Sequence, residues 1–311
     1  MPTPMLSEQW PRNVLPILRN EWNIRMDAYP SAAAQFYNVL TSRAASEYSQ
    51  GIGELGQVPE YNSSAAEGAS SAIQYDSFAL LYEKTFTHKQ YAKGIEISRL
   101  LMLTAQQNNI VRKAQNLGTS FGKTISVFQS SVFNNAFSSS YLGGDSKALC
   151  ATDHPRNTVD STAIDNKGTS ALSYAAIIAT LQAGKKMTDD RGDVMPIIYD
   201  TLYVPTELYA TAIEETKGLY KPGSADFTAS ALNNGVAPGL RIIEDPLLTD
   251  ANNWFMIDST MAKQHLLWYW LERPTFTMDP TSDYNLVARY RGTFACSFGF
   301  DDFRFIFGHE V

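Results

Sequence analysis

From Ile110 onward apolar residues recur at steps of three and four: Ile110, Ala114, Leu117, Phe121, Ile125, Phe128, Val132 and Ala136. Polar side chains such as Gln106, Asn109, Arg112, Gln115, Lys123 and Gln129 fill much of the space between them. That spacing predicts one amphipathic helix from Ser98 to about Phe137, roughly 35 residues and on the order of 50 Å long. A helix of this length exceeds the usual globular span and acts as a strut around which the rest of the chain must be arranged. Gly118 and Gly122 each weaken it by up to about 1 kcal/mol. With no flanking heptads, they also argue against a coiled coil. The serines and the Gly143-Gly144 pair of "SSSYLGGDSK" end it.

The segments before the strut are of a different kind. Five prolines (Pro2, Pro4, Pro11, Pro16, Pro30) interrupt the first fifty residues, and the helix-like pieces "ILRNEWNIRMDAY" and "AAAQFYNVLTSRAASEYS" lie between and after them. This reads as an arm with short helices. Gln50 to Ala72 is rich in glycine, serine and alanine and reads as an extended or mobile excursion. From Tyr82 the chain alternates strictly, with Tyr82, Lys84, Phe86 and His88 set against Glu83, Thr85, Thr87 and Lys89. Both faces are polar, so the expectation is an exposed ribbon that needs a partner surface.

After the strut, Ser170 to Lys185 reads as a helix. "PIIYDTLYVPTELYATAIE" reads as a buried strand, a turn at Pro205 and a helix from about Thr206. "GLRIIEDPLL" and "NWFMID" read as strands. The C-terminal "DYNLVARYRGTFACSFGF" has period two, with Ala288, Tyr290, Phe294 and Cys296 on one face and Arg289, Arg291 and Thr293 on the other. Asp301-Asp302 breaks the phase and Phe303, Phe305 and Phe307 resume it. The fold class is α+β.

Composition narrows the function. Of 311 residues 44% are apolar and 18% charged, an ordinary folded composition, and the net charge of −7 offers no global basic surface to nucleic acid. Two cysteines do not make a disulfide framework. The N-terminus lacks a signal-peptide pattern, and runs such as "HLLWYWL" are too short to cross a bilayer, so no membrane is expected as a partner.

Cys150, Asp153 and His154 in "ALCATDHPRN" bring a thiol, a carboxylate and an imidazole within five positions. A thiol or metal hydrolase centred on Cys150 and His154 is the enzyme alternative. Zinc, however, needs about four ligands, and the chain has four histidines and two cysteines with no other paired spacing. The favoured reading is structural: Asp153 pins a turn, His154 packs with hydrogen bonds, and no catalytic, metal or cofactor residue is assigned. The Arg-Gly-Asp within "DDRGDV" reads as loop chemistry. "LGTSFGKT" resembles a phosphate loop only superficially, because Leu117 stands where the first glycine belongs and the stretch lies mid-helix.

The order of arm, ribbon, strut, α/β region and final strand resembles the major capsid proteins of tailed bacteriophages. The residues that carry it are "YDSFALLYEKTFTHKQYAKGIEISRLLM" before the strut and "LCATDHP" after it. The chain looks most like the Mu-like major head subunit group, with the Hong Kong 97-type fold. The resemblance implies an N-terminal arm (1–50), an extension loop (51–97) lying across a neighbouring subunit, and a spine helix within a peripheral domain (98–160 and 265–311). It also implies an axial domain (161–264). A long charged N-terminal segment, as in members with a fused scaffold, is not seen. The expected function is a non-enzymatic subunit that self-assembles through hexamers and pentamers into an icosahedral or prolate head enclosing double-stranded DNA. Expected partners are scaffolding protein, portal and decoration proteins, with assembly in the bacterial cytoplasm and final residence in the virion. Thirty-two phenylalanines and tyrosines suit repeated interfaces. Tyr82, Glu83, Lys84, Thr87, His88, Lys89, Tyr91 and Lys93 are the expected intersubunit contacts. Lys84, Lys89 and Lys93 are also the lysines available for the isopeptide crosslink known in some members. A viral decoration or receptor-binding protein is the non-enzymatic alternative.

Overall fold

A computed structural model describes residues 10–53, 80–98, 101, 107–220, 222, 229–237, 239–279 and 287–311. The long helix is there as the periodicity requires, but it runs from Gln107 to Asn134 (α2), 28 residues. Ser98, its expected start, is instead the last residue of a strand. The apolar stripe of α2 is buried, with Ile110, Ala114, Leu117, Phe121, Val132 and Phe133 all facing the core.

Among the described residues, 10–50 are not the arm of short helices expected from the prolines. Helix α1 (Trp10–Asp27) runs through Pro16 and packs along α2. A proline inside a helix costs about 3 kcal/mol, and here burial of Leu18 and Trp22 opposes that cost. Trp22 lies edge-on to Phe121 at 5.4 Å and beside Phe276 at 5.8 Å. The two glycines of α2 make this approach possible. A Cβ at Gly118 would stand 2.3 Å from the Trp22 carbonyl oxygen, and one at Gly122 would stand 2.6 Å from that of Met26. The phosphate-loop lookalike is therefore a bare patch on the helix where a second helix backbone rests.

"AAAQFYNVLTSRAASEYS" is also not helical beyond one short turn, Ala33–Phe36. It continues as strands β1 (Asn38–Thr41) and β2 (Ser46–Ile52). The alternating stretch that follows breaks into β3 (Leu80–Thr87) and β4 (Lys89–Ser98). Residues 1–9 and 54–79, which include most of the expected excursion, lie outside the described residues.

Two sheets flank the helices, and a separate two-stranded pair joins β5 (His154–Pro155) to β6 (Ala163–Ile164). The first has the order β1-β11-β12-β4, where β11 is Leu266–Met278 and β12 is Val287–Phe300. β1 pairs with β11 in parallel, and β4 pairs with β12 antiparallel along its whole length. Pro274 is accommodated in β11 at a register shift between Glu272 and Thr275. The core face of this sheet packs on α2 through aromatic contacts such as Tyr91 with Phe128 and Phe294 with Phe121.

The second sheet uses short strands: β7 (Lys167–Gly168), β8 (Thr201–Val204), β9 (Arg241–Glu244), β10 (Trp254–Ile257) and β13 (Ile306–His309). Their order is β7-β13-β10-β8-β9. The C-terminal strand thus enters this sheet rather than the one expected to receive residues 265–311. The break at Asp301-Asp302 redirects the chain. Helix α3 (Tyr174–Lys185), capped by Ser173, and helix α4 (Tyr209–Lys217) pack on the far side. Helix α5 (Ser259–His265), capped by Asp258, leads into β11.

The second sheet divides two cores. Along β10, Phe255 and Ile257 face the core of α2, while Trp254 and Met256 face that of α3. A fully buried carboxylate bolts the division to the long helix. Asp245 accepts hydrogen bonds from the Ser130 hydroxyl of α2, the Tyr203 hydroxyl of β8 and the Leu247 amide. Burial and the adjacent Asp245 push the Tyr203 phenol well up. Asn134, the last residue of α2, adds bonds to Leu247 and Thr249.

Two predictions follow from this packing. Helix propensity alone makes Gly118→Ala stabilising by about 1 kcal/mol, whereas contact with the Trp22 backbone makes it destabilising by about 2–3 kcal/mol or more. Urea unfolding of the variant decides by sign, and we expect a loss.

The second concerns His309, which stacks on Trp254 at 3.9 Å, shares a 2.8 Å hydrogen bond with Thr180 and is pushed by burial to a pKa of about 4. Its unfolded value is about 6.5, so the unfolded chain binds the proton first. The stabilisation is complete above about pH 6.5 and is lost as pH falls toward 4, about 3 kcal/mol in all. His265 has the opposite sign. Burial opposes its charge, but Asp301 and Asp302 outweigh that and raise its pKa, so its contribution fades only as pH rises. Thermal midpoints between pH 7 and 4 should therefore fall less steeply for His309→Gln than for the unaltered chain.

Candidate assembly interface

Strands β2 and β3 form an antiparallel ribbon with Ser46 opposite Thr87 and Gln50 opposite Glu83. Alternation gives it two faces. Glu47, Ser49, Tyr82, Lys84 and Phe86 turn toward the chain's own body. The Ser49 hydroxyl donates to Asp301 at 2.6 Å, the Tyr82 hydroxyl to the Asn157 carbonyl at 2.6 Å, and Lys84 Nζ to the Leu142 carbonyl at 2.5 Å. Phe86 is buried, its ring 5.4 Å from that of Tyr269. Partial burial lowers the Lys84 pKa, against the pull of Asp145, and raises that of Tyr82. The opposite face, with Ser46, Tyr48, Gln50, Glu83, Thr85 and Thr87, is exposed throughout. Tyr48 is 69% exposed.

The ribbon expected from sequence is therefore half covered by its own chain. Beyond Thr87 the alternating stretch joins the first sheet as β4. Its core-facing side chains include Tyr91, which packs between Phe128 and Phe294, and Lys93, which donates to the Ser120 hydroxyl of α2 at 2.9 Å. His88 sits at the junction, between the hydroxyls of Ser42 at 2.9 Å and Ser297 at 3.0 Å. Of the eight contact residues expected, Tyr82, Lys84, His88, Tyr91 and Lys93 engage their own chain, while Glu83, Thr87 and Lys89 are exposed. Tyr48 and Gln50 share this exposed face but are not among the expected contacts, because Tyr48 reads as helical and Gln50 as the start of the extended excursion.

A second exposed surface lies on the first sheet, on the side away from α2. There Arg289, Arg291 and Thr293 of β12 stand beside Glu96, Gly94 and Ala92 of β4, with Thr277 and Thr275 of β11 on the other flank. Arg289 is paired with Glu96 at 2.8 Å. Where the ribbon meets the body there is a cavity of about 330 Å³, lined among others by Tyr82, Asp145, Arg156, His265, Asp301 and Arg304. Its charges are mutually engaged, His265 with Asp301 at 2.9 Å and Arg304 with Asp302 at 2.9 Å.

The Cys150–His154 loop is packed rather than open. Cys150 is buried beside Gly308, where a Cβ would come within 2.6 Å of its sulfur, and burial pushes its thiol far up. A thiol so placed is a poor source of thiolate. His154 is fully buried, bonded through Nδ1 to Asp145 at 2.5 Å and stacked on Phe303 at 3.6 Å. Asp153 lies at the surface in an ion pair with Lys147, which lowers its pKa. Asn166, which the sequence did not single out, ties this loop to the C-terminal segment. Its side chain bonds Ala151 and Leu149 on one side and Phe303 and Ile306 on the other. The Arg-Gly-Asp stretch is a turn whose Arg191 and Asp193 amides bond the Asp189 carboxylate, with Gly192 at φ +94°.

Comparison with known proteins joins these observations. The sequence matches a family described as phage capsid protein over residues 82–307. That span contains α2 and the strands of both sheets apart from β1 and the last two residues of β13. Similar folds are found in the virus-like particle from Pyrococcus furiosus, with TM-score 0.56, 11% identity, and 95% of this chain and 99% of that one covered. The capsid of cyanophage P-SCSP1u gives 0.55 at 12% identity, covering 88% and 86%. The procapsid of bacteriophage JBD30 gives 0.50 at 14% identity, covering 96% and 75%. No curated protein matches by sequence. The chain thus belongs to the phage capsid protein family: it is a structural, shell-forming subunit with the Hong Kong 97-type fold.

Proposed function

We propose that the chain is the major head subunit of a tailed phage, related most nearly to the Mu-like group, and that it assembles with itself as hexamers and pentamers. The resulting shell is icosahedral or prolate and encloses double-stranded DNA without reading its sequence. The family match over residues 82–307 carries this reading. Net charge supports it, since a chain at −7 confines DNA without adhering to it. On this reading residues 1–50 are the arm, of which Trp10–Asp27 packs on the subunit's own long helix and Asn38–Thr41 joins its first sheet, and 51–97 are the extension loop. Residues 98–160 and most of 265–311 make the peripheral domain around α2. Residues 161–264 make the axial domain, which recruits the C-terminal strand β13 into its sheet.

The subunit works by packing and not by chemistry. Assembly takes place in the bacterial cytoplasm on a scaffold and portal, decoration proteins bind the finished head, and the virion is where the protein resides. Glu83, Thr87 and Lys89, which are exposed, serve between subunits. Tyr82, Lys84, His88, Tyr91 and Lys93 serve indirectly, by fixing the ribbon and β4 to their own body.

Electron microscopy of the purified protein, alone and with its scaffold, should show closed shells of many identical copies. A monomer that no scaffold, salt or pH could assemble would defeat the reading. Cys150→Ala should assemble as the unaltered chain does.

A further inference from the structure

Residues 97–144 contain no aspartate or glutamate, although the chain carries 32 of them in 311 residues. The same stretch carries Arg99, Arg112, Lys113 and Lys123. Because the whole chain is at −7, the remainder is more acidic than the whole. The described part of this stretch is mostly α2, whose apolar stripe is buried and whose opposite face is open to solvent. A solvated helix face ordinarily mixes both signs, because Glu and Lys four positions apart support the helix. Here that pairing is missing, and so are an acidic first turn and a basic last turn. The cations of α2 do little for the helix itself, so their use lies outside it.

Arg112, Asn116, Thr119 and Lys123 are exposed along one face of α2. From Arg112 to Lys123 the helix rises roughly 16 Å. β4, the edge strand of the first sheet, adds Lys93, also exposed, whose Nζ donates to the Ser120 hydroxyl at 2.9 Å. Lys113 Nζ donates to the Glu96 carbonyl of the same strand at 3.2 Å. None of Lys93, Arg112, Lys113 and Lys123 makes an ion pair among the described residues. The carboxylates that reach the flanks are engaged elsewhere: Glu96 is paired with Arg289 on the other side of the sheet, and Glu21 of α1 accepts from Gln115. Four cations in a band without a free carboxylate are complementary to a polyanion. Lysine and arginine give phosphate oxygens charge-assisted hydrogen bonds, and an exposed asparagine between them is a further donor.

We propose that this band of α2 and the β4 edge faces the inside of the shell and holds the phosphate backbone of the enclosed double-stranded DNA. It rests on the shell-subunit reading and adds the surface that meets the DNA. The more acidic remainder of the subunit repels the duplex, so contact is confined to the band. Four cations displace few counterions, which makes the hold weak, salt-sensitive and independent of base sequence.

The test is binding of a short labelled DNA duplex to the purified full chain, read by fluorescence anisotropy as salt is raised. With four phosphates neutralised, affinity should fall roughly a hundredfold between about 50 and 200 mM salt. The double variant Arg112→Gln, Lys123→Gln should lose only about tenfold over the same range, with each single substitution in between. Arg291→Gln, on the sheet face away from α2, should behave as the unaltered chain does. All three side chains are exposed, so thermal unfolding should be unchanged, which controls for folding. An equal salt dependence in the double variant and the unaltered chain overturns the proposal. So does an equal loss in Arg291→Gln, or the absence of binding at low salt. Displacement of the duplex by poly-glutamate at a lower concentration of charge also overturns it, since the occupant would then be an acidic protein segment. Electron microscopy of the same preparations separates the two readings. Shells formed by a chain that binds no duplex strike this inference alone. A chain that binds duplex through these cations but forms no shell under any condition strikes the shell reading, and the inward placement of the band with it.

Discussion

The contact on which the rest of the structure depends is backbone against backbone, the carbonyls of Trp22 and Met26 against Gly118 and Gly122. Because α1 can come this close, Trp22 reaches Phe121 and Phe276 and closes one end of the core. With α1 seated, the following segment is delivered to the edge of the first sheet as β1, parallel to β11. The N-terminal region thereby becomes part of the subunit's own core, and the long helix is covered along one side by its own chain.

From the other end of α2 the second core is fixed by polar bonds. The Asp245 carboxylate joins the helix to β8 at the sheet that separates the two cores. A buried carboxylate held by hydroxyl and amide donors is a costly arrangement that tolerates few alternative geometries. The subunit is thus two cores with a defined mutual angle. A shell-forming protein needs that property, because errors in the angle accumulate around every ring of subunits.

The ribbon shows how an exposed pair of strands is managed. One face is held on the body by three hydrogen bonds and one buried ring, and the other is left exposed and polar. The cavity beneath it contains aspartates whose charges are already engaged by His265 and Arg304. The same economy governs the loop of Cys150 and His154. There, chemically capable side chains are used for packing, with Asn166 stitching the loop to the C-terminal segment.

Patterns confined to a single element were legible in the sequence. The three-and-four spacing from Ile110 to Ala136 required a helix, and the period of two in β12 told its core face from its arginine face, because a regular backbone repeats its own geometry. Residue chemistry sufficed to read the Arg-Gly-Asp stretch as a turn and His154 as a packed side chain. Where two elements had to meet, the sequence was silent. It showed Gly118 and Gly122 as weak points in a helix, since the α1 backbone that needs their missing side chains lies some ninety-six positions earlier (118 − 22). It showed that the ribbon had two polar faces, but not that Tyr82 and Lys84 belonged to the covered one. It read Tyr48 as helical, because strand pairing with a distant segment outweighs local propensity. Tertiary structure alone decided which face each element hides, because that depends on distances between residues remote in the chain, and local periodicity carries no record of them.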